Sequence, residues 1–138
     1  MAVGQEKMNT KNEALIKAVG AFGGGIGGSG RVCGALLGGV AFISSLYSRG
    51  NLAEKEHPQM WRLSHKLNKK FEELTKPFGG VNCSDIARVN WSDKEQTKEF
   101  YNSPDSRLHH CLQLVEDTAS ALGEILDQAD AEAKLQSV

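Results

Sequence analysis

Residues Gly20 to Gly39 read GAFGGGIGGSGRVCGALLGG and hold ten of the chain's fifteen glycines and one of its three cysteines. Glycine loses more backbone freedom on ordering than any other residue, so this density needs a geometric reason. Two reasons apply. A loop with several residues at positive φ suits Gly23 to Gly30. Close backbone approach by another element suits Gly34, Gly38 and Gly39, which lie inside an otherwise apolar run. Cys33 falls at the junction, where the loop feeds the first turn of a helix. Unpaired amides and the helix dipole there favour a thiolate over a thiol.

The rest of the chain reads as helices arranged about that stretch. Its 138 residues suit one helical domain spanning 1–138, with 1–9 and 134–138 frayed. Thr10 and Glu13 have capping-box spacing, and Ala14, Leu15, Ala18, Val19 and Phe22 follow at helical steps, predicting a helix from Lys11 to Ala21. A second, almost wholly apolar helix is expected over Arg31 to Ser48, with Gly34 and Gly38 on one face where a neighbour packs closely. Pro58 opens an amphipathic third helix with Met60, Leu63, Leu67, Phe71 and Leu74 on its apolar face. Asn82 caps a short helix at Cys83, so Cys83 repeats the situation of Cys33. Ser92 to Glu95 opens a helix to Asn102. The last helix runs from Ser103-Pro104 to Ala133, with Leu108, Cys111, Leu112, Val115, Ala119, Leu122, Ile125 and Leu126 as its buried stripe. No stretch alternates with period two, so the expected fold is an all-α bundle of four to five helices, with a glycine-rich loop before a buried central helix.

Charge narrows the functional classes. A net charge of −1 gives no nucleic-acid surface. The opening MAVGQEKMNTKNE lacks the apolar core of a secretory signal. The longest apolar run, Val32 to Tyr47, falls short of the roughly 20 residues that cross a bilayer. Cytoplasmic location with reduced thiols is the expectation.

Two overlapping GxGxxG patterns occur within Gly23 to Gly30. A dinucleotide fingerprint needs a strand before it and a helix after, and here a helix precedes it. An anion resting on the amides of Gly25, Gly27, Gly28 and Gly30 ahead of Cys33 is the weaker reading that remains. Cys33, Cys83 and Cys111 form no CxxC or CxxCH, so no covalent haem motif or local zinc ribbon is present. Each cysteine also has a plain reading as small apolar filler. His57, His65, His109 and His110 are expected in surface or packing roles.

The segment FGGGIGGSGRVCGALLGG, followed by Phe78 to Gly80 before Cys83 and by Cys111 in a helix, resembles the redox-active proteins named for their C_GCAxxG_C_C pattern. The CGAxxG element is complete here as Cys33-Gly34-Ala35-Leu36-Leu37-Gly38. The resemblance covers Glu13 to Leu126, and a related domain occurs in split-Soret cytochromes. It implies redox or metal-thiolate chemistry, with Cys33, Cys83 and Cys111 as ligands of an iron–sulfur cluster or zinc. The family's first cysteine has no counterpart before Cys33, so a fourth ligand would come from a histidine, a water or a second chain.

Two functions are therefore expected, in different classes. One is a cytoplasmic redox or metal-thiolate protein, in which a catalytic pair, Cys33 attacking and Cys83 resolving, serves an unidentified redox partner. The other is a non-catalytic helical module for homodimer formation or partner binding, whose cysteines are core remnants.

Overall fold

The computed structural model describes residues 1–136. Among these residues seven α-helices follow one another: α1 (Ala2–Lys7), α2 (Glu13–Ala18), α3 (Gly34–Tyr47), α4 (Gln59–Thr75), α5 (Cys83–Ile86), α6 (Lys94–Asn102) and α7 (Leu108–Gln136). Short 3-10 turns occupy Gly20–Phe22 and Lys76–Phe78. Extended pairing among the described residues is confined to one antiparallel bridge, Val32 with Asn82. The fold is all-α, as the helical periodicity requires. No helix among the described residues is long and apolar enough to cross a membrane.

Helices α3, α4 and α7 pack on one another and enclose the main core. Met60, Leu63, Leu67 and Phe71 recur at steps of three and four and are all buried, which places one face of α4 inside. Phe42 and Ile43 of α3 and Leu114, Leu122, Ile125 and Leu126 of α7 meet them. Fully burying each large side chain contributes about 1.5–3 kcal/mol relative to exposure. The glycine that admits α4 is Gly39, where an added Cβ would stand 2.6 Å from Leu67 Cδ2. Gly34 and Gly38, expected to share that role, do other things. A Cβ on Gly34 would meet the Phe22 carbonyl oxygen at 2.7 Å, so Gly34 admits the Gly20–Phe22 turn. A Cβ on Gly38 would find only the Met1 nitrogen, at 3.9 Å.

The N-terminal segment departs from expectation. Residues expected to fray form α1, and the reason is a polar side chain that periodicity does not detect. Gln5 is buried; its Nε2 donates to the Asn12 carbonyl at 3.2 Å, and its Oε1 accepts from the Asn12 amide at 3.0 Å. Asn12, held this way, caps α2 by accepting from the Leu15 amide at 3.2 Å, while the Thr10 hydroxyl turns back to the Gln5 carbonyl. Lys7 pairs with Asp127 at 2.8 Å and ties α1 to α7. Helix α2 is consequently shorter than the Lys11–Ala21 reading.

The last helix also differs. It continues past Ala133 to Gln136, and the final two positions of the segment expected to fray lie outside the described residues. Leu114, Thr118, Ala121, Leu122, Ile125, Leu126 and Ala129 are its buried residues, whereas Leu112 and Val115 are 62% and 53% exposed. The expected stripe mixed three settings: Leu122, Ile125 and Leu126 join the core, Val115 lines a pocket, and Leu112 faces solvent. Thr118 escapes an apolar reading but sits inside because its hydroxyl donates to the Leu114 carbonyl at 2.6 Å.

Candidate functional site

The glycine run builds an unusual turn. Gly24, Gly25, Ile26, Gly27 and Gly28 all have φ between 60° and 75°, a left-handed stretch that L side chains resist by roughly 1–2 kcal/mol per residue. Glycine removes that penalty at four of the five positions. Ile26 remains at φ 65° as a β-branched exception and is about half exposed, at 47%. The amides of Gly27, Gly28 and Gly30 donate to the carbonyls of Ala21, Gly23 and Gly24 at 2.7, 3.3 and 3.0 Å. Gly25 is buried, and a Cβ there would meet the Cys83 Cβ at 2.7 Å. The anion cradle expected from Gly25, Gly27, Gly28 and Gly30 therefore has three amides turned inward and its remaining residue packed on a cysteine. Its geometry serves the backbone.

The turn delivers Arg31 to Cys33 as an extended segment beside Val81 to Cys83. The Cys33 amide donates to the Val81 carbonyl at 3.0 Å and the Cys83 amide to the Arg31 carbonyl at 2.7 Å, flanking the Val32–Asn82 bridge. Each extended segment then becomes a helix, so Cys33 is the N-cap of α3 and Cys83 the first residue of α5. The Asn82 amide donates to Asp85 at 3.2 Å, closing one arm of the capping box.

The two cysteines meet different hydrogen-bond donors. The amides of Ala35 and Leu36 face the Cys33 sulfur and favour its thiolate, but burial outweighs them and pushes the thiol above its ordinary value, with Cys83 adding to the rise. The expected activation of Cys33 by its helix is thus present and overridden by desolvation. At Cys83 the first helical amides are taken by Arg31 and Gly30. The donor that reaches its sulfur is the Trp91 indole N–H, at 3.4 Å. Sequence reasoning missed Trp91; an aromatic at the end of a polar linker carries no periodic signal. Phe100 packs edge-on against its ring at a centroid distance of 5.2 Å and holds it in place. Cys111 of α7 is pushed up to about 11, first by burial and then by Cys83 and Cys33.

All three cysteines line one pocket of about 540 Å³, walled by α1, α3 and α7 and by Trp91, Phe100 and Tyr101. They remain free thiols. Among the described residues no group of three or more His, Cys, Asp or Glu side chains is placed to hold a metal ion. The iron–sulfur or zinc reading of Cys33, Cys83 and Cys111 finds no ligand set there: the sulfurs share walls without closing a coordination shell. No histidine lines this pocket among the described residues. His57 stacks by Tyr47, His110 lies edge-on to Phe78, and His109 bonds the Ser106 carbonyl, all packing or surface roles.

A family model described as Putative redox-active protein (C_GCAxxG_C_C) matches residues 1–125. Neither a search of curated proteins nor one of solved structures finds a match.

Proposed function

The chain belongs to the redox-active C_GCAxxG_C_C family, and from that premise we propose that it is a thiol–disulfide redox protein in which Cys33 attacks and Cys83 resolves. The observation that carries this reading is the Val32–Asn82 bridge, which fixes the two cysteine-bearing segments side by side at one pocket. In the reducing direction the Cys33 sulfur gives up its proton and attacks one sulfur of a disulfide, whose S–S bond breaks. The leaving thiolate takes a proton, and Cys33 is held in a mixed disulfide. Cys83 then attacks the Cys33 sulfur, forming a Cys33–Cys83 disulfide and releasing the second thiol. Partly buried Cys33, the more accessible of the two, suits attack, and its facing amides stabilise the thiolate as it forms. Buried Cys83, oriented by Trp91, suits the internal second step. Cys111, kept protonated, stands by as the third wall of the site. Such a reversible couple works in a compartment that holds thiols reduced, the cytoplasm, and residues 1–138 act as one helical domain.

Equilibration with mixtures of oxidised and reduced dithiothreitol, followed by alkylation and mass measurement, tests the proposal. One two-electron couple is expected in the native protein and in Cys111→Ser, lost in Cys33→Ser and Cys83→Ser. A couple that requires Cys111, or none at all, would overturn it.

A second reading, self-association, is favoured by the exposure of Leu112 and Val115 on α7. Sedimentation should then show a homodimer that Leu112→Lys dissociates; a monomer at all concentrations removes this reading.

A further inference from the structure

The pocket is more than a place where sulfurs meet. Its volume, about 540 Å³, lies within the roughly 300–1,000 Å³ typical of small-molecule sites. Phe22, Phe42, Phe100 and Leu122 give it apolar walls. Glycines open it: a Cβ on Gly23 would find only the Gly20 carbonyl oxygen at 3.9 Å, and one on Gly38 only the Met1 nitrogen at 3.9 Å. Those two positions thus leave room for an occupant, unlike Gly34 and Gly39, whose neighbours are protein.

Its charge is equally specific. No Asp, Glu or Arg lines it among the described residues, and the lining cations are Lys7, already paired with Asp127 at 2.8 Å, and the Met1 amino group. A cationic ligand entering such a pocket would lose hydration without gaining a carboxylate partner, and an anionic one would find only the Met1 amino group, whose charged form burial already disfavours. An apolar one would gain by leaving water.

We propose that this pocket is a binding site for an uncharged, apolar organic disulfide, which the Cys33–Cys83 pair reduces. The inference rests on the dithiol reading above and adds the substrate class. The balance is that of thiol–disulfide exchange. One disulfide and two protein thiols give two free thiols and the Cys33–Cys83 disulfide. The two thiol protons end on the two leaving sulfurs, and the pair of electrons that breaks the substrate S–S bond comes from the two cysteines. A single turnover needs no further reductant.

Matched thiosulfonates probe the pocket: neutral benzyl methanethiosulfonate, and its anionic sulfonatoethyl and cationic trimethylammonioethyl counterparts. Rates at Cys33 are measured in native protein and normalised to the urea-unfolded chain. The neutral apolar reagent is expected to be favoured about tenfold or more over both charged ones. Gly38→Leu, which fills the space beside Met1, should abolish that preference while diamide still links Cys33 to Cys83. Ala119→Phe narrows the same pocket from α7 and should act likewise, so a folding defect in either variant alone leaves the other decisive. Equal normalised rates for the three reagents, with the diamide-induced link intact, would overturn the substrate class and leave the dithiol reading standing. Loss of the diamide-induced link in the native protein would overturn both. A preference that vanishes with rising protein concentration, together with dimer formation in sedimentation, would mean that a second copy fills the pocket and would overturn the inference.

Discussion

Val32 pairs with Asn82, and that one bridge fixes side by side the chain segments that carry Cys33 and Cys83. A helical bundle has no sheet to align distant segments, so the bridge supplies the register here. Its two flanking hydrogen bonds, Cys33 to Val81 and Cys83 to Arg31, run through the cysteine amides themselves. The thiols are therefore held by backbone geometry as well as by packing.

The left-handed turn before the bridge predicts a contrast between neighbouring glycines. Gly25→Ala introduces a Cβ at φ 68°, with the Arg31 amide nitrogen at 2.6 Å and the Cys83 Cβ at 2.7 Å. Strain and clash together should cost about 3 kcal/mol or more. Gly27→Ala has a similar φ of 60° with nothing within 4 Å, and should cost only about 1 kcal/mol. Urea denaturation of the two variants checks this. Equal losses would mean that the contact with Cys83 is not tight.

Trp91 provides a reporter of the Cys83 sulfur. Trp61 is largely exposed, so Trp61→Phe removes the other indole with little effect on the core. In that background, emission should change when the cysteines are oxidised, because the N–H at 3.4 Å loses its thiol acceptor. Trp91→Phe should abolish the signal and lower stability by about 1 kcal/mol. Emission indifferent to oxidation would contradict the contact.

Much of this organisation was legible in the residues. The apolar steps of α4 and the cap at Cys83 translate directly into structure, because each rests on local spacing. The cap of α6 instead falls on Asp93, which accepts from the Glu95 and Gln96 amides, one residue past the Ser92 that a Ser92–Glu95 capping box would use. The CGAxxG element was legible as a family mark, but the reason for Gly34, the Phe22 carbonyl beside it, depends on a turn that spacing does not reveal. Helix α1 stayed hidden because its order comes from Gln5 clamping Asn12, a polar interaction without period. The helix-terminus argument at Cys33 identified the right amides and missed the burial that outweighs them. Val115 was misplaced because an apolar pocket face and a core face carry the same residue types, and Leu112 because a single exposed leucine reads like a buried one.

The raised thiol of Cys111 sets a pH dependence. Its ordinary value is 9.0 and the folded value about 11, so folding favours the protonated form. Stability from this group is fully present below pH 9.0 and is lost as pH rises through about 11, where the unfolded chain has already released the proton. Relative to Cys111→Ala, the native protein should lose stability over that window. Alkylation of native Cys111 should also rise about tenfold per pH unit across it. A flat difference between the two proteins would place Cys111 in water.

The most direct measurement of the central claim is peptide mapping of the native protein after brief diamide oxidation, with free thiols blocked before digestion. The account predicts a single disulfide joining Cys33 and Cys83, with Cys111 recovered as a blocked thiol. Recovery of Cys33 and Cys83 as free thiols, or a disulfide that takes in Cys111 instead, would contradict it.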